Sequence, residues 1–185
     1  MAGLRYKRKK TDSGESASES SLTPDEARRR VFDRAIKLLS ARSRSVSELR
    51  ELLLRGRGAR KAVVDEVLAR LQEYDYLDDE RFALGYASLK LRQRPVGRQR
   101  LKRDLLTKKV DGAIVDEALD SIFAEASEEE MIDRAIERRI RVRGHPKTRA
   151  QAKSLFDHLL RQGFPYELVA EKVRAASKTN LEELE

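Results

Sequence analysis

The chain has 185 residues, 39% hydrophobic and 39% charged, with a net charge of +8 and no cysteine; disulfides, thiolate metal sites and cysteine nucleophiles are therefore excluded. No uninterrupted apolar run approaches the ~20 residues that span a bilayer, and the basic N-terminus lacks a signal-peptide apolar stretch, so a soluble, cytoplasmic protein is expected. Five basic and three acidic residues in the first 22 are offset by one basic and three acidic residues in the last nine, so the body carries the whole excess, which favours polyanions or acidic protein surfaces as partners.

Residues 1–22 combine Arg5, Lys7, Arg8, Lys9 and Lys10 with a Ser/Glu-rich stretch that has nothing to bury, and disorder is expected there. Thr23-Pro24-Asp25-Glu26 then supplies a capping hydroxyl, a proline in the first turn and a glutamate that reaches back to the cap, a strong helix start. Val31, Phe32, Ala35 and Ile36 give that helix an apolar face. The same starting grammar recurs at Ser45-Val46-Ser47-Glu48, ahead of Leu49, Leu53 and Leu54, and the next segment carries Val63, Val64, Val67, Leu68 and Leu71. Gly56 or Gly58 can take the left-handed conformation that closes the middle helix. Gly56-Arg57-Gly58-Ala59-Arg60-Lys61 looks like a phosphate loop but lacks the Gly-Lys-Ser/Thr ending and follows a helix, so it reads as a turn.

A second pass of the pattern begins at Leu77-Asp78-Asp79-Glu80-Arg81-Phe82, where Asp78 is the cap and Leu77 and Phe82 stand at the positions of a hydrophobic staple. Phe82, Ala83, Tyr86 and Ala87 match the first apolar face, Leu101, Leu105 and Leu106 the second, and Ile114, Val115, Ala118, Leu119 and Ile122 the third. A third pass starts at Ser127-Glu128-Glu129-Glu130, with Met131, Ile132, Ala135 and Ile136. It restarts at Thr148-Arg149-Ala150-Gln151 with Leu155, Leu159 and Leu160, closes at Gly163, and ends with Leu168, Val169, Lys172, Val173 and Ala176. No segment alternates with period two. The expected fold is all-α: an elongated array of three tandem three-helix repeats at 23–77, 78–124 and 127–176, with a disordered tail before and an acidic end, 177–185, after. Stacked repeats make long surfaces that suit polymers or proteins rather than small substrates.

Asp78 and Asp79 read as caps that favour the helix dipole, since no histidine or third acid lies nearby. Phe32, Phe82 and Tyr86 sit at core spacing, and with 5% aromatic residues there are few platforms for base stacking. Each repeat carries Arg-x-Arg between its first two helices: Arg42 and Arg44, Arg92 and Arg94, Arg141 and Arg143. A periodic partner would meet these pairs as an array, while the negative end of a helix explains them equally well. Two denser clusters favour binding. Arg98, Arg100, Lys102, Arg103, Lys108 and Lys109 crowd the second repeat's middle helix; Arg138, Arg139, Arg141, Arg143, Lys147, Arg149 and Lys153 crowd the start of the third. Like charges three or four residues apart repel, a poor choice for a face with no acidic partner. His145 and His158 are too far apart for a helical ligand pair. No catalytic constellation is present, and neither enzyme nor cofactor is expected.

Tyr76-Leu77-Asp78-Asp79 followed by Phe82-Ala83, then Gly97, Arg98, Leu101, Leu105 and Leu106, resembles the RecX family, regulators of the RecA recombinase, over roughly residues 27–176. Two positions depart from the family: Asp75 and the pair Lys108-Lys109 stand where it has glycine and Lys-Gly. Left-handed residues without glycine are costly, so altered helix ends are expected there. The resemblance implies a monomeric array lying in the groove of the RecA filament on single-stranded DNA, bridging subunits. It further implies suppression of ATP turnover, strand exchange and co-protease activity, or filament disassembly, in control of recombination, DNA repair and the SOS response. Direct contact with DNA is compatible with it. The alternative is a sequence-nonspecific nucleic-acid-binding helical repeat protein.

Overall fold

The computed structural model describes residues 23–56, 59–125 and 127–182, with side chains through Ser177. The expected disordered tail, the Gly58 stop and the last acidic residues lie outside that range. Nine helices follow in order among the described residues: α1 (Pro24–Ala41), α2 (Val46–Leu54), α3 (Lys61–Glu73), α4 (Asp79–Gln93), α5 (Arg98–Thr107), α6 (Gly112–Glu125), α7 (Glu128–Arg143), α8 (Arg149–Gln162) and α9 (Tyr166–Glu182). They form three tandem three-helix repeats, and α9 carries its helix six residues past Ala176.

Each repeat closes around its own core. Leu49 and Leu53 meet Val31, Ala35 and Leu71; Leu101 and Leu105 meet Phe82, Ala87 and Leu119; Leu155 and Leu159 meet Ile132, Ile136 and Val169. In Leu-x-x-x-Leu-Leu the first two leucines, four apart, share a buried face, whereas the third is turned a further 100° around the helix. Leu54 and Leu106 are accordingly exposed, and Leu160 only part-buried. Phe32, Phe82 and Tyr86 pack on the cores as expected, the last two stacked with centroids 6.1 Å apart.

Thr23 and Thr148 form complete capping boxes. Ser45 accepts from the Glu48 N–H (3.1 Å) without a reciprocal bond from the Glu48 side chain, and Ser127 caps with no side-chain bond. Asp78 accepts from the Arg81 N–H (2.9 Å). The staple at this start does not close as expected, because Leu77 is buried in the first core and Phe82 in the second. The chain thus crosses between repeats at Asp78.

Helix ends correct two expectations. Gly163 is left-handed, but so are Asp75 (φ 57°) and Lys109 (φ 59°), where the missing glycines predict altered ends. All three close a helix with the same paired bonds. Tyr76 N–H reaches Leu71 O (2.9 Å) and Asp75 N–H Gln72 O (3.0 Å); Val110 reaches Leu105 (3.3 Å) and Lys109 Leu106 (2.9 Å); Phe164 reaches Leu159 (3.4 Å) and Gly163 Leu160 (2.9 Å). This geometry satisfies the last carbonyls, and burial of Leu77, Val110 and Phe164 just beyond each turn holds it. Gly56 does not adopt the left-handed conformation: α2 ends in right-handed Arg55. A Cβ at Gly56 would meet the guanidinium of Arg34, the far end of an exposed side chain that donates to Leu52 O (3.1 Å) and can swing aside.

The repeats join through their middle helices, end to end. Ser45, at the start of α2, is fully buried and donates its hydroxyl to Lys108 O at the end of α5 (2.5 Å). At the start of α5, Gly97 N–H donates to Gln162 O (3.0 Å) and Gln99 N–H to Gly163 O (3.2 Å), both at the end of α8. The partly negative end of one helix therefore abuts the partly positive end of the next. The following repeat completes each joint with its first helical residue: Asp79 accepts from the Val46 N–H (2.9 Å), and Glu128 accepts from the Arg98 N–H (2.9 Å). Unbonded amides at a helix start are thus satisfied from a neighbouring repeat.

Candidate binding surface

The joints also sort the basic residues. Among the cations of α5, Arg98 pairs with Asp120 (2.7 Å) and Lys102 with Asp116 (2.6 Å), both on α6. Lys108 reaches Glu48 (3.4 Å) and Lys109 reaches Glu51, across the joint to α2. Arg100 donates to Gln162 Oε1 (3.0 Å), and Arg103 to Gln99 O of its own helix (3.3 Å). The crowding of like charge on α5, which by sequence has no acidic partner, is therefore largely neutralised by acids from α2 and α6. Arg42 and Arg44 are tied as well, the first to Glu48 (3.6 Å), the second to Leu38 O (3.2 Å).

The remaining cations differ. Among the described residues, Arg92, Arg94, Arg138, Arg141, Arg143, Lys147, Arg149 and Lys153 are exposed and none lies within ion-pair distance of a carboxylate. Arg92 and Arg94 sit at the C-terminal end of α4, Arg141 and Arg143 in the last turn of α7. Between them, at the joint of the second and third repeats, lie two adjoining clefts of about 320 and 470 Å³ that share Arg94, Pro95 and Arg138. Arg139 and His158 complete the smaller, Arg92 and Arg134 the larger, and no acidic residue lines either. Val142, on the rim, is 77% exposed.

Positive potential in this cleft registers on His158. Burial, with Arg139, Arg161, Arg100 and Arg143 around it, pushes the imidazole below its ordinary value and keeps it neutral at physiological pH. Arg134 was not among the residues singled out by sequence, and His158 was weighed there only as a metal ligand. The Arg134/Arg138 spacing of four on α7 was a legible signal for the first; for the second there was none, because α8 meets the α4–α5 connection only in three dimensions. Arg143 and His145 line a further cleft of about 280 Å³ with Ser154 and Gln151, which shares Arg139 with the smaller of the first two.

The motif residues serve the frame. Leu77, Ala83, Leu101 and Leu105 are core, Tyr76 is exposed, and Asp78 and Asp79 cap α4 and α2 respectively. Burial pushes the Asp79 carboxyl above its ordinary value, partly offset by the Val46 N–H bond. Gly97 faces backbone: a Cβ there would lie 2.5 Å from Phe164 N and closer still to the Gly163 carbonyl. No described helix is long and apolar enough to cross a membrane.

Comparison with known proteins places this frame. The sequence profile described as the second three-helix domain of RecX matches residues 78–119, the stretch from the Asp78 cap to the core residue Leu119. Regulatory protein RecX of Chlorobium limicola is 32% identical over 149 residues, covering 80% of this chain and 90% of that protein. Regulatory protein RecX of Bacillus licheniformis is 28% identical over 149 residues, and the chain spans 56% of its length. The crystal structure of RecX from Lactobacillus salivarius superposes with a TM-score of 0.71 at 19% identity, covering 84% of this chain and 99% of that one. That superposition shares the all-helical fold, and the identity maintained over nine-tenths of the Chlorobium protein establishes that this chain belongs to the RecX family of regulatory proteins.

Proposed function

We propose that this protein binds a RecA-type recombinase and its filament on single-stranded DNA and restrains ATP hydrolysis, strand exchange and co-protease activity, acting by binding and without chemistry of its own. It would do so in the cytoplasm, as a monomer, with no cofactor. The observation that supports this reading best is the division of the positive charge. Arg98, Lys102, Lys108 and Lys109, on and just after α5, are held by internal acids, whereas Arg92, Arg94, Arg134 and Arg138 around the second joint have no acid within ion-pair distance. Desolvating an unneutralised arginine cluster without a counter-charge is unfavourable, so such a surface calls for an anionic partner. The units 23–77, 78–124 and 127–176 would each meet a part of a periodic partner, the second contact gaining effective concentration from the first.

The second reading is a nucleic-acid binder that impedes recombination by masking DNA. It is favoured by the lack of any acid in the cleft lining. ATP hydrolysis by preformed recombinase filaments, titrated with this protein in the presence of excess bare single-stranded DNA, separates the two. Inhibition well below recombinase stoichiometry that survives the competitor is expected; inhibition that vanishes with it would establish the masking reading. Arg92→Glu with Arg94→Glu should weaken the inhibition while the helical circular-dichroism spectrum and melting temperature stay nearly unchanged, because both side chains are exposed.

A further inference from the structure

The clefts at the second joint are built from two repeats at once. Arg94 and Pro95 come from the α4–α5 connection, Arg138 from α7, and His158 and Gln162 from α8. Arg94, Arg138 and Arg139 line about 320 Å³, the Arg139 guanidinium also donating to Ser154 Oγ (3.5 Å), and Arg92 and Arg134 extend the charge into the adjoining cleft. The charged side chains described at the first joint are paired instead. There Glu48 pairs with Lys108 and Arg42, and Glu51 with Lys109. At the second joint Glu128 is taken up by the Arg98 N–H, and Arg94 and Arg138, one from each side, have no carboxylate within ion-pair distance.

We propose that this cleft is a site for clustered phosphates, a polyphosphate group that bridges Arg94 of the second repeat to Arg138 and Arg139 of the third and clamps the joint. A carboxylate side chain would neutralise one guanidinium. A terminal phosphate brings about −1.5 to −2 charge and three acceptor oxygens, and successive phosphates match several arginine forks within a volume of this size. The two natural sources of that chemistry are the triphosphate of a nucleotide and adjoining phosphates of a nucleic-acid strand. Because the ligand would touch both repeats, binding also stabilises their joint, by mass action. The site goes beyond the recombinase reading and its test contains no recombinase.

The test uses the full chain and three probes: inorganic tripolyphosphate, ATP without metal, and a short oligothymidylate. Calorimetry should give one tripolyphosphate per chain, together with a melting temperature that rises with its concentration. Arg94→Gln with Arg138→Gln should raise the tripolyphosphate Kd by at least about tenfold, the scale of losing charge-assisted hydrogen bonds, and abolish the thermal shift. Arg30→Gln with Arg60→Gln removes the same charge from exposed positions of the first repeat and should change neither. Displacement of tripolyphosphate by ATP would identify a nucleotide site, and displacement by the oligonucleotide alone a strand site; both support the cleft. Absence of saturable binding, equal weakening in the Arg30/Arg60 control, or tighter binding of an oligoglutamate peptide than of tripolyphosphate would overturn it.

Discussion

Replacing Gly97 by alanine should pry the third repeat from the second. The added Cβ would stand 2.5 Å from Phe164 N, against ordinary contact at 3.4–4 Å, and the atoms it meets are backbone with no side chain to swing away. The start of α5 must retreat from the end of α8 by about 1 Å to restore normal contact distances. That movement stretches Gly97 N–H to Gln162 O and Gln99 N–H to Gly163 O, now 3.0 and 3.2 Å, beyond hydrogen-bond length. Two such bonds are worth about 0.5–1.5 kcal/mol each, and overpacking adds about 1–3 kcal/mol, so a loss of about 3 kcal/mol is expected. For a chain of this size that is a fall of about 6–12 °C in melting temperature. Urea unfolding followed by circular dichroism measures it, with Gly85→Ala as the reference. Gly85 lies on the exposed side of α4 with nothing within 4 Å of an added Cβ, so alanine there should gain about 0.5–1 kcal/mol. A Gly97→Ala loss below about 1 kcal/mol would refute the close-approach argument.

Substitutions at two further positions test the caps. Asp75 is left-handed at φ 57°, so Asp75→Gly should stabilise by about 1 kcal/mol and Asp75→Ala should not; equal stability of the two in denaturant titration would show that the turn carries no strain. At Asp79, alanine should lose about 1 kcal/mol with the bond to the Val46 N–H, whereas asparagine, which keeps an acceptor, should hold wild-type stability near neutral pH. Since burial raises the Asp79 pKa in the fold, ionisation costs stability as pH climbs from the ordinary aspartate value through the raised one. Wild type should therefore lose stability relative to Asp79→Asn across that window, and parallel pH profiles of the two proteins would refute it.

What the sequence determined by itself is local. Apolar spacing of three and four residues marked the buried face of the helices, because a helix repeats every 3.6 residues whatever surrounds it, but it did not separate the core leucines of Leu-x-x-x-Leu-Leu from Leu54 and Leu106, which are exposed. Thr23, Thr148 and Asp78 were legible as caps for the same reason: each bonds an amide three residues on. The same reading went astray where the partner is distant. The arginines and lysines of α5 looked unpartnered because Asp116 and Asp120 lie on the next helix and Glu48 and Glu51 in the preceding repeat. Asp75 and Lys109 looked unfit for left-handed turns because what holds them includes burial of the residues beyond each turn, which only the packed repeat supplies.

Tertiary structure alone decided the joints and, through them, the candidate site. Ser45 and Lys108 are 63 residues apart, Arg98 and Glu128 30, and nothing in local spacing links them. Once the middle helices meet end to end, Gly97 must be glycine, Asp79 caps a helix other than its own, and five arginines from two repeats converge on two adjoining clefts with no acid in their lining. Local geometry acts over one helical turn, whereas the balance of charge across a surface depends on which distant segments the packing brings within a few ångströms of each other.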